Sequence, residues 1–422
     1  MFHQSLLFPL PFLYILFRYI TFNMQLTSLQ TIFLLLPSVL CATYYVAPTG
    51  SDSAAGTLTA PYKSIQVAVD KAVAGDSIYL RGGTYAPTKN IQIKKSGTSS
   101  ARITLAAYQA EVPIVDGEAL TGTPAPVGGS IASADRGVLH VEDASYWTFK
   151  GIQFINGPYG IYATGSNNNI FQQLVTRQNY ETGFQLQGAS SNNQILYLDS
   201  YENRDPRKNG ESADGVGIKE GTGEGNLLKG ARLWNNVDDG LDLWEFKSKV
   251  TVIDTIAWGN GVNRWGFTDF QGDGNGFKLG GGDVADKKAA NHQITNCIAF
   301  NNAAKGFTDN SQPGNFVLQR NTAWNNADVG FKSTTAVTTF TNNIAASNIK
   351  STTNSAQVSL NSAQKQTGNS WQGSTTWNNA AFKSVDTTLV QGKRDAVTGK
   401  IVASNFLLPA SGAAIGATTA WS

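Results

Sequence analysis

Two cysteines, two methionines and three histidines are all that this chain of 422 residues has of the side chains serving redox, soft-metal and imidazole chemistry. Cys41 falls at the end of an apolar leader, so the mature chain keeps one thiol, Cys297, and an internal disulfide framework is excluded. The histidines are His3, His140 and His292, none of them in a Gly-His-Gly element. Charged residues make up 15% of the chain and the formal net charge is +2. No long Lys/Arg cluster interleaved with aromatics is present, so nucleic acid is not an expected partner. Asn-x-Ser/Thr sequons are also missing.

What the chain does have is 43 glycines together with many Asn, Thr and Ser residues, the composition of turns and short strands. Apolar runs at 5–17 and 31–40 are each shorter than the roughly 20 residues that span a bilayer. The second run, read from Met24 and ending Pro37-Ser38-Val39-Leu40-Cys41-Ala42, has the form of a signal peptide. The expected division is a leader over 1–42, removed to give a secreted extracellular protein with no membrane association, and a single domain over 43–422. A membrane anchor formed by residues 1–40 is the alternative. The mature chain is expected to act as a monomer.

Ile65, Ala68, Val69 and Ala72 fall at i, i+3, i+4 and i+7, which predicts one short amphipathic helix stopped at Ala74-Gly75-Asp76. Short alternating segments follow, such as Ser77-Ile78-Tyr79-Leu80 and Ile103-Thr104-Leu105-Ala106. From Trp147 the chain repeats a short apolar strand and an Asn-x-x-x-Gly turn: Asn156/Gly160, Asn179/Gly183, Asn236/Gly240, Asn302/Gly306 and Asn326/Gly330. A period of 20–30 residues without helical periodicity, and without a Leu-x-x-Leu-x-Leu pattern, indicates a parallel β-helix. The fold expected is therefore an all-β solenoid with an N-terminal capping helix. The asparagines are expected to stack as a hydrogen-bonded ladder. Residues beyond about 350 are expected to form final coils and a capping tail, with Trp371, Trp377 and Trp421 on the stack. Cys297, in an apolar strand, is read as core.

Because stacked strands lie about 4.8 Å apart, repeats aligned on their glycines form columns of neighbours. Asp214, Asp239 and Asn275 precede successive glycines, and Gly217, Asp242, Lys278, Thr308 and Lys332 follow them by two places. Asp214, Asp238, Asp239 and Asp242 then share a small patch, where mutual repulsion calls for a divalent cation, and hard oxygen ligands favour calcium. An EF-hand is excluded by spacing. Lys278 is the column neighbour of Asp242, and a desolvated lysine beside a metal has the lowered pKa that a general base requires. Insertions at 204–213 and 261–274 carry Arg204, Arg207, Lys208, Arg264, Trp265 and Phe270, a basic and aromatic set suited to an acidic sugar polymer. Arg204, Arg207 and Arg264 are the substrate-binding candidates.

The segments Ala213-Asp214-Gly215-Val216-Gly217-Ile218-Lys219, Trp234 to Trp244 and Gly272 to Gly280 resemble those of the family 9 polysaccharide lyases. The resemblance extends from about Tyr44 to residue 350. It implies a right-handed parallel β-helix, calcium held by Asp214, Asp238, Asp239 and Asp242, and Lys278 as Brønsted base. The implied reaction is β-elimination on polygalacturonate or pectin, giving 4,5-unsaturated oligogalacturonides. A polygalacturonase is excluded because no Gly-His-Gly or Arg-x-Lys element is present. A lyase or epimerase acting on another uronan, such as alginate, and a non-catalytic β-helix adhesin remain as rival readings.

Overall fold

The computed structural model describes residues 41–121, 124, 127–282 and 288–421. The expected leader over 1–42 lies outside these residues except for its last two positions. None of the helices among the described residues is long and apolar enough to cross a membrane.

Among the described residues the chain coils through three sheets, one of 12 strands and two of 10, and every strand pair within them is parallel. Sheet order follows chain order with a step of one coil, so each strand hydrogen-bonds to its counterpart one turn earlier and later. Strands in one sheet are joined by crossovers, which are right-handed in nearly all proteins, and the result is a right-handed β-helix. The helix Ile65–Lys71 buries Ile65, Ala68 and Val69 over the first coils. Its end is closed by the backbone N–H of Ala72 donating to the Ala68 carbonyl.

Strands of three or four residues place alternate side chains inward, and the core is one continuous column from Val46 to Ala345. Equivalent positions on successive coils stack like on like. Phe277, Phe307 and Phe331 have ring centroids 4.6 and 4.9 Å apart at interplanar angles of 5° and 6°.

The turns are held by buried asparagine ladders. Asn179, Asn203, Asn236, Asn260, Asn302, Asn326 and Asn348 form one, each Nδ2 donating to the next Oδ1 at 2.8–3.0 Å. Asn321, Asn343 and Asn369 form a shorter one at another corner. Asn156, expected in the first ladder, lies outside it. Its neighbour Gly157 occupies the ladder position, donating its N–H to Asn179 Oδ1, while Asn156 turns to Asp116 in a left-handed conformation. Cys297 takes the place of an asparagine in the second column, its N–H donating to Asn321 Oδ1, and burial pushes its thiol pKa well up. It is a core residue.

Past residue 350 the strands Val358–Leu360 and Lys365–Thr367 complete the coils. Trp371 closes the coil, packing on Phe331 and Phe340. Beyond it the chain runs back along the outside, where Trp377, Phe382, Val390 and Phe406 cover an external stack built on Trp258, Phe300 and Trp324, with Trp421 packed at its edge. Arg394 fixes this strap to Asp199 at 2.6 Å, and Arg232 pairs with the same carboxylate at 2.7 Å.

Candidate active site

The site lies where one sheet corner turns into strands of only two residues, Leu241–Asp242 and Phe277–Lys278. Gly240 precedes the first of these, and a Cβ there would stand 2.5 Å from the Gly276 carbonyl, so only glycine lets the two coils approach so closely. The register aligns Tyr162, Gln185, Gly217, Asp242, Lys278 and Thr308 across six coils. Asp242 and Lys278 are thus adjacent on one sheet. In the turn before them, Asp214, Asp239 and Asn275 stack through backbone bonds from Gly215 to Asp239 and from Gly240 to Asn275.

Oxygens of Asp214, Asp238 and Asp239 lie within 4.8 Å of one another, and all three side chains are buried. Asp238 Oδ1 accepts the Asp273 N–H at 2.6 Å. Asp239 Oδ1 accepts the N–H and Nδ2 of Asn275, at 2.6 and 2.9 Å. Asp239 Oδ2 makes no hydrogen bond, its nearest cation being the Lys278 ammonium at 3.2 Å. Burial lifts the Asp214 pKa to about 8 and that of Asp239 to about 6, and neighbouring carboxylates add to both. Asp238 is raised well above the carboxylate range by burial and by Asp239 and Asp214. Buried carboxylates with raised pKa values, one of them with an oxygen held by no hydrogen bond beyond its Lys278 ion pair, make a donor set that fits a hard cation.

Asp242 stands apart from this trio. Its Oδ2 pairs with Lys219 at 2.9 Å and Lys278 at 3.4 Å, and its Oδ1 accepts the Trp244 N–H. Lys219 also reaches Asp214 at 2.6 Å. This lysine, to which the sequence reading gave no role, passes over Gly217, whose missing side chain leaves the space. Lys278 Nζ contacts Asp273 at 2.9 Å as well and lies 5.5 Å from the Trp244 ring centre. Burial alone would lower the Lys278 pKa, yet the facing carboxylates of Asp242, Asp239, Asp238 and Asp273 outweigh it and hold the value well above that of an ordinary lysine. The lowered value expected from the sequence is not found while these charges are uncompensated.

The three candidate arginines are not brought together. Arg207 pairs with the buried Glu181 and lines a small pocket beside Lys219. Arg264 donates to Asn235 and lines a separate groove with Trp234 and Trp258. Arg204 lies over the Tyr180 ring at 4.2 Å. A larger pocket of 980 Å³ near Ile65 and Tyr85 contains none of the site residues.

The three-sheet right-handed parallel β-helix is the fold that the resemblance to the family 9 polysaccharide lyases implied. A profile of the Pel9A-like right-handed β-helix region matches residues 44–354. The chain is 63% identical over 404 residues to "Pectate lyase PEL9" of Emericella nidulans, covering 92% of this chain and 97% of that one. The crystal structure of pectate lyase Pel9A superimposes with a TM-score of 0.75 at 31% identity, covering 88% and 90% of the two chains. A structure titled "Rhamnogalacturonan lyase" superimposes with a TM-score of 0.72 at 26% identity, covering 88% and 97%. The chain belongs to the Pel9A-like right-handed β-helix family of pectate lyases.

Proposed function

We propose that this protein cleaves polygalacturonate by calcium-assisted β-elimination, with Lys278 as the base and Asp214, Asp238, Asp239 and Asp242 as the calcium-holding set. The observation that carries the reading is the position of Lys278 Nζ, 3.2 Å from Asp239 and 3.4 Å from Asp242, on the rim of a buried carboxylate trio. When bound there, calcium supplies Lewis-acid charge that makes the proton beside a uronate carboxylate more acidic.

Lys278 is kept protonated by the carboxylates facing it, while its burial acts in the opposite sense. Neutralising those carboxylates therefore lets burial bring the amine toward the range where it accepts a proton. The neutral Nζ takes the C5 proton, the C5–H electron pair becomes the C4=C5 double bond, and the C4–O bond breaks. The departing oxygen takes a proton from solvent and no water is added to the sugar. Asp273, hydrogen-bonded to Nζ at 2.9 Å, orients the amine, and Trp244 covers its other side.

The leader expected over 1–42 supports secretion, and the mature chain is expected to act alone on the polymer. A second reading, lyase action on rhamnogalacturonan, is favoured by the 26% identical structure. A substrate panel of polygalacturonate, methyl-esterified pectin, rhamnogalacturonan and alginate, each with calcium or chelator, separates the readings. Ultraviolet absorbance from the conjugated product is expected with calcium on polygalacturonate. Absorbance confined to another uronan would transfer the assignment to it.

A further inference from the structure

A pocket of 190 Å³ opens beside the site, on the coils that precede it. Its wall is continuous with the active centre, because Lys219, which pairs with Asp214 and Asp242, also lines the pocket. Gln185 and Arg136 are further lining residues.

Gln185 is 5% exposed, yet its Oε1 has no hydrogen-bond partner. That oxygen lies over Gly217, where a Cβ would come within 2.2 Å of it, in space that the glycine leaves to it and to the Lys219 chain, whose Cε would stand 3.2 Å from the same Cβ. A buried acceptor with no donor is costly, and a ligand hydroxyl would satisfy it. Arg136 adds the complementary chemistry. Its guanidinium lies 5.4 Å from the Tyr162 ring centre and donates to the Tyr162 hydroxyl and the Ile131 carbonyl. Among the described residues it forms no ion pair with a carboxylate. Arginine carries five N–H donors in a planar fork that matches a carboxylate, so most of its capacity is unused.

The register sets the distance. Gln185 lies two strand steps from Asp242 and Tyr162 three, about 10 and 14 Å at the usual strand spacing. Those lengths correspond to roughly two and three sugar rings counted along the sheet. We propose that this pocket is a distal subsite for a uronate ring, Gln185 accepting from a ring hydroxyl and Arg136 holding the ring carboxylate. It makes the enzyme select long anionic chains over short ones. The inference rests on the lyase reading of the neighbouring centre.

Steady-state kinetics of Arg136→Gln on trigalacturonate and hexagalacturonate test it, since a trimer spanning the cleaved bond is too short to reach Arg136. Loss of one charge-assisted carboxylate contact is expected to raise KM for the hexamer on the order of tenfold, with kcat and the trimer KM within about twofold of wild type. Arg136→Lys is expected to recover part of the hexamer KM. Equal losses on trimer and hexamer, or an unchanged hexamer KM in a folded variant, would overturn the proposal. If the wild-type protein produces no unsaturated product, the lyase reading falls by itself. Calorimetric binding of hexagalacturonate to Lys278→Ala, with and without Arg136→Gln, then decides the pocket separately: weaker binding in the double variant supports it, and equal binding refutes it.

Discussion

Asn260→Ala removes one rung of the ladder that ties the inserted loop at 261–274 to the carboxylate turn. Asn260 Oδ1 accepts the N–H and the Nδ2 of Asn236, both at 3.0 Å. Its own Nδ2 donates to the Leu233 carbonyl at 3.2 Å and to Asn302 Oδ1 at 2.9 Å. All four bonds are buried and all four are lost, while the Asn260 N–H still donates to Asn302 Oδ1. The Asn236 N–H, next to Val237-Asp238-Asp239, is left without an acceptor. At about 1 kcal/mol net per bond, with an orphaned buried donor adding about 1–3 kcal/mol, the variant should lose roughly 5–7 kcal/mol of unfolding free energy. Urea unfolding followed by tryptophan fluorescence reads this directly. The comparison is Lys305→Ala, which breaks a partly exposed ion pair of 3.2 Å with Asp328 and should cost under about 1 kcal/mol. If Asn260→Ala costs no more than Lys305→Ala, the ladder is not what holds the turn, and the reasoning fails.

Other outcomes follow from the same coordinates. Asp214 and Asp239 have folded pKa values lifted to about 8 and about 6 from 3.8, so the native state binds more protons than the unfolded chain between those limits. Stability in chelator should therefore fall as pH rises from about 4 to about 8. Calcium should cancel that loss, which thermal unfolding at several pH values will read. Asp239→Asn should weaken calcium binding at least tenfold by calorimetry, because it replaces one buried carboxylate of the trio with a neutral amide. Arg394→Ala removes the strap's ion pair with Asp199 while Arg232 still neutralises that carboxylate. The segment after Trp377 should then be cut by a protease at lower concentration than in the wild-type chain, with the coils intact.

Much of this arrangement was legible because a solenoid turns sequence period into spatial neighbourhood. Glycine alignment alone puts Asp242 beside Lys278, and the strand register does the same. The helix at Ile65 and the core role of Cys297 were readable for similar reasons, one from 3.6-residue spacing and one from an apolar strand. What escaped lies where the period is broken or a side chain crosses it. Lys219 belongs to the coil of Asp214 but reaches Asp242 across Gly217, a contact that depends on an absent side chain. Asp273 sits in an insertion with no register to align. Arg136 precedes the repeats altogether, and its place over Tyr162 depends on a turn whose direction composition does not give. Asn156 falls outside the ladder because the ladder position lies one residue later, on a glycine whose backbone N–H does the bonding.

The central claim is that Lys278 removes the proton. The most direct test is the initial rate of ultraviolet absorbance on polygalacturonate at saturating calcium for Lys278→Ala against wild type, with calcium affinity measured on both. The account predicts a fall in kcat of about 10²–10⁴-fold, the range for loss of a general base, with calcium still bound. A variant that keeps kcat within tenfold while binding calcium normally would contradict it.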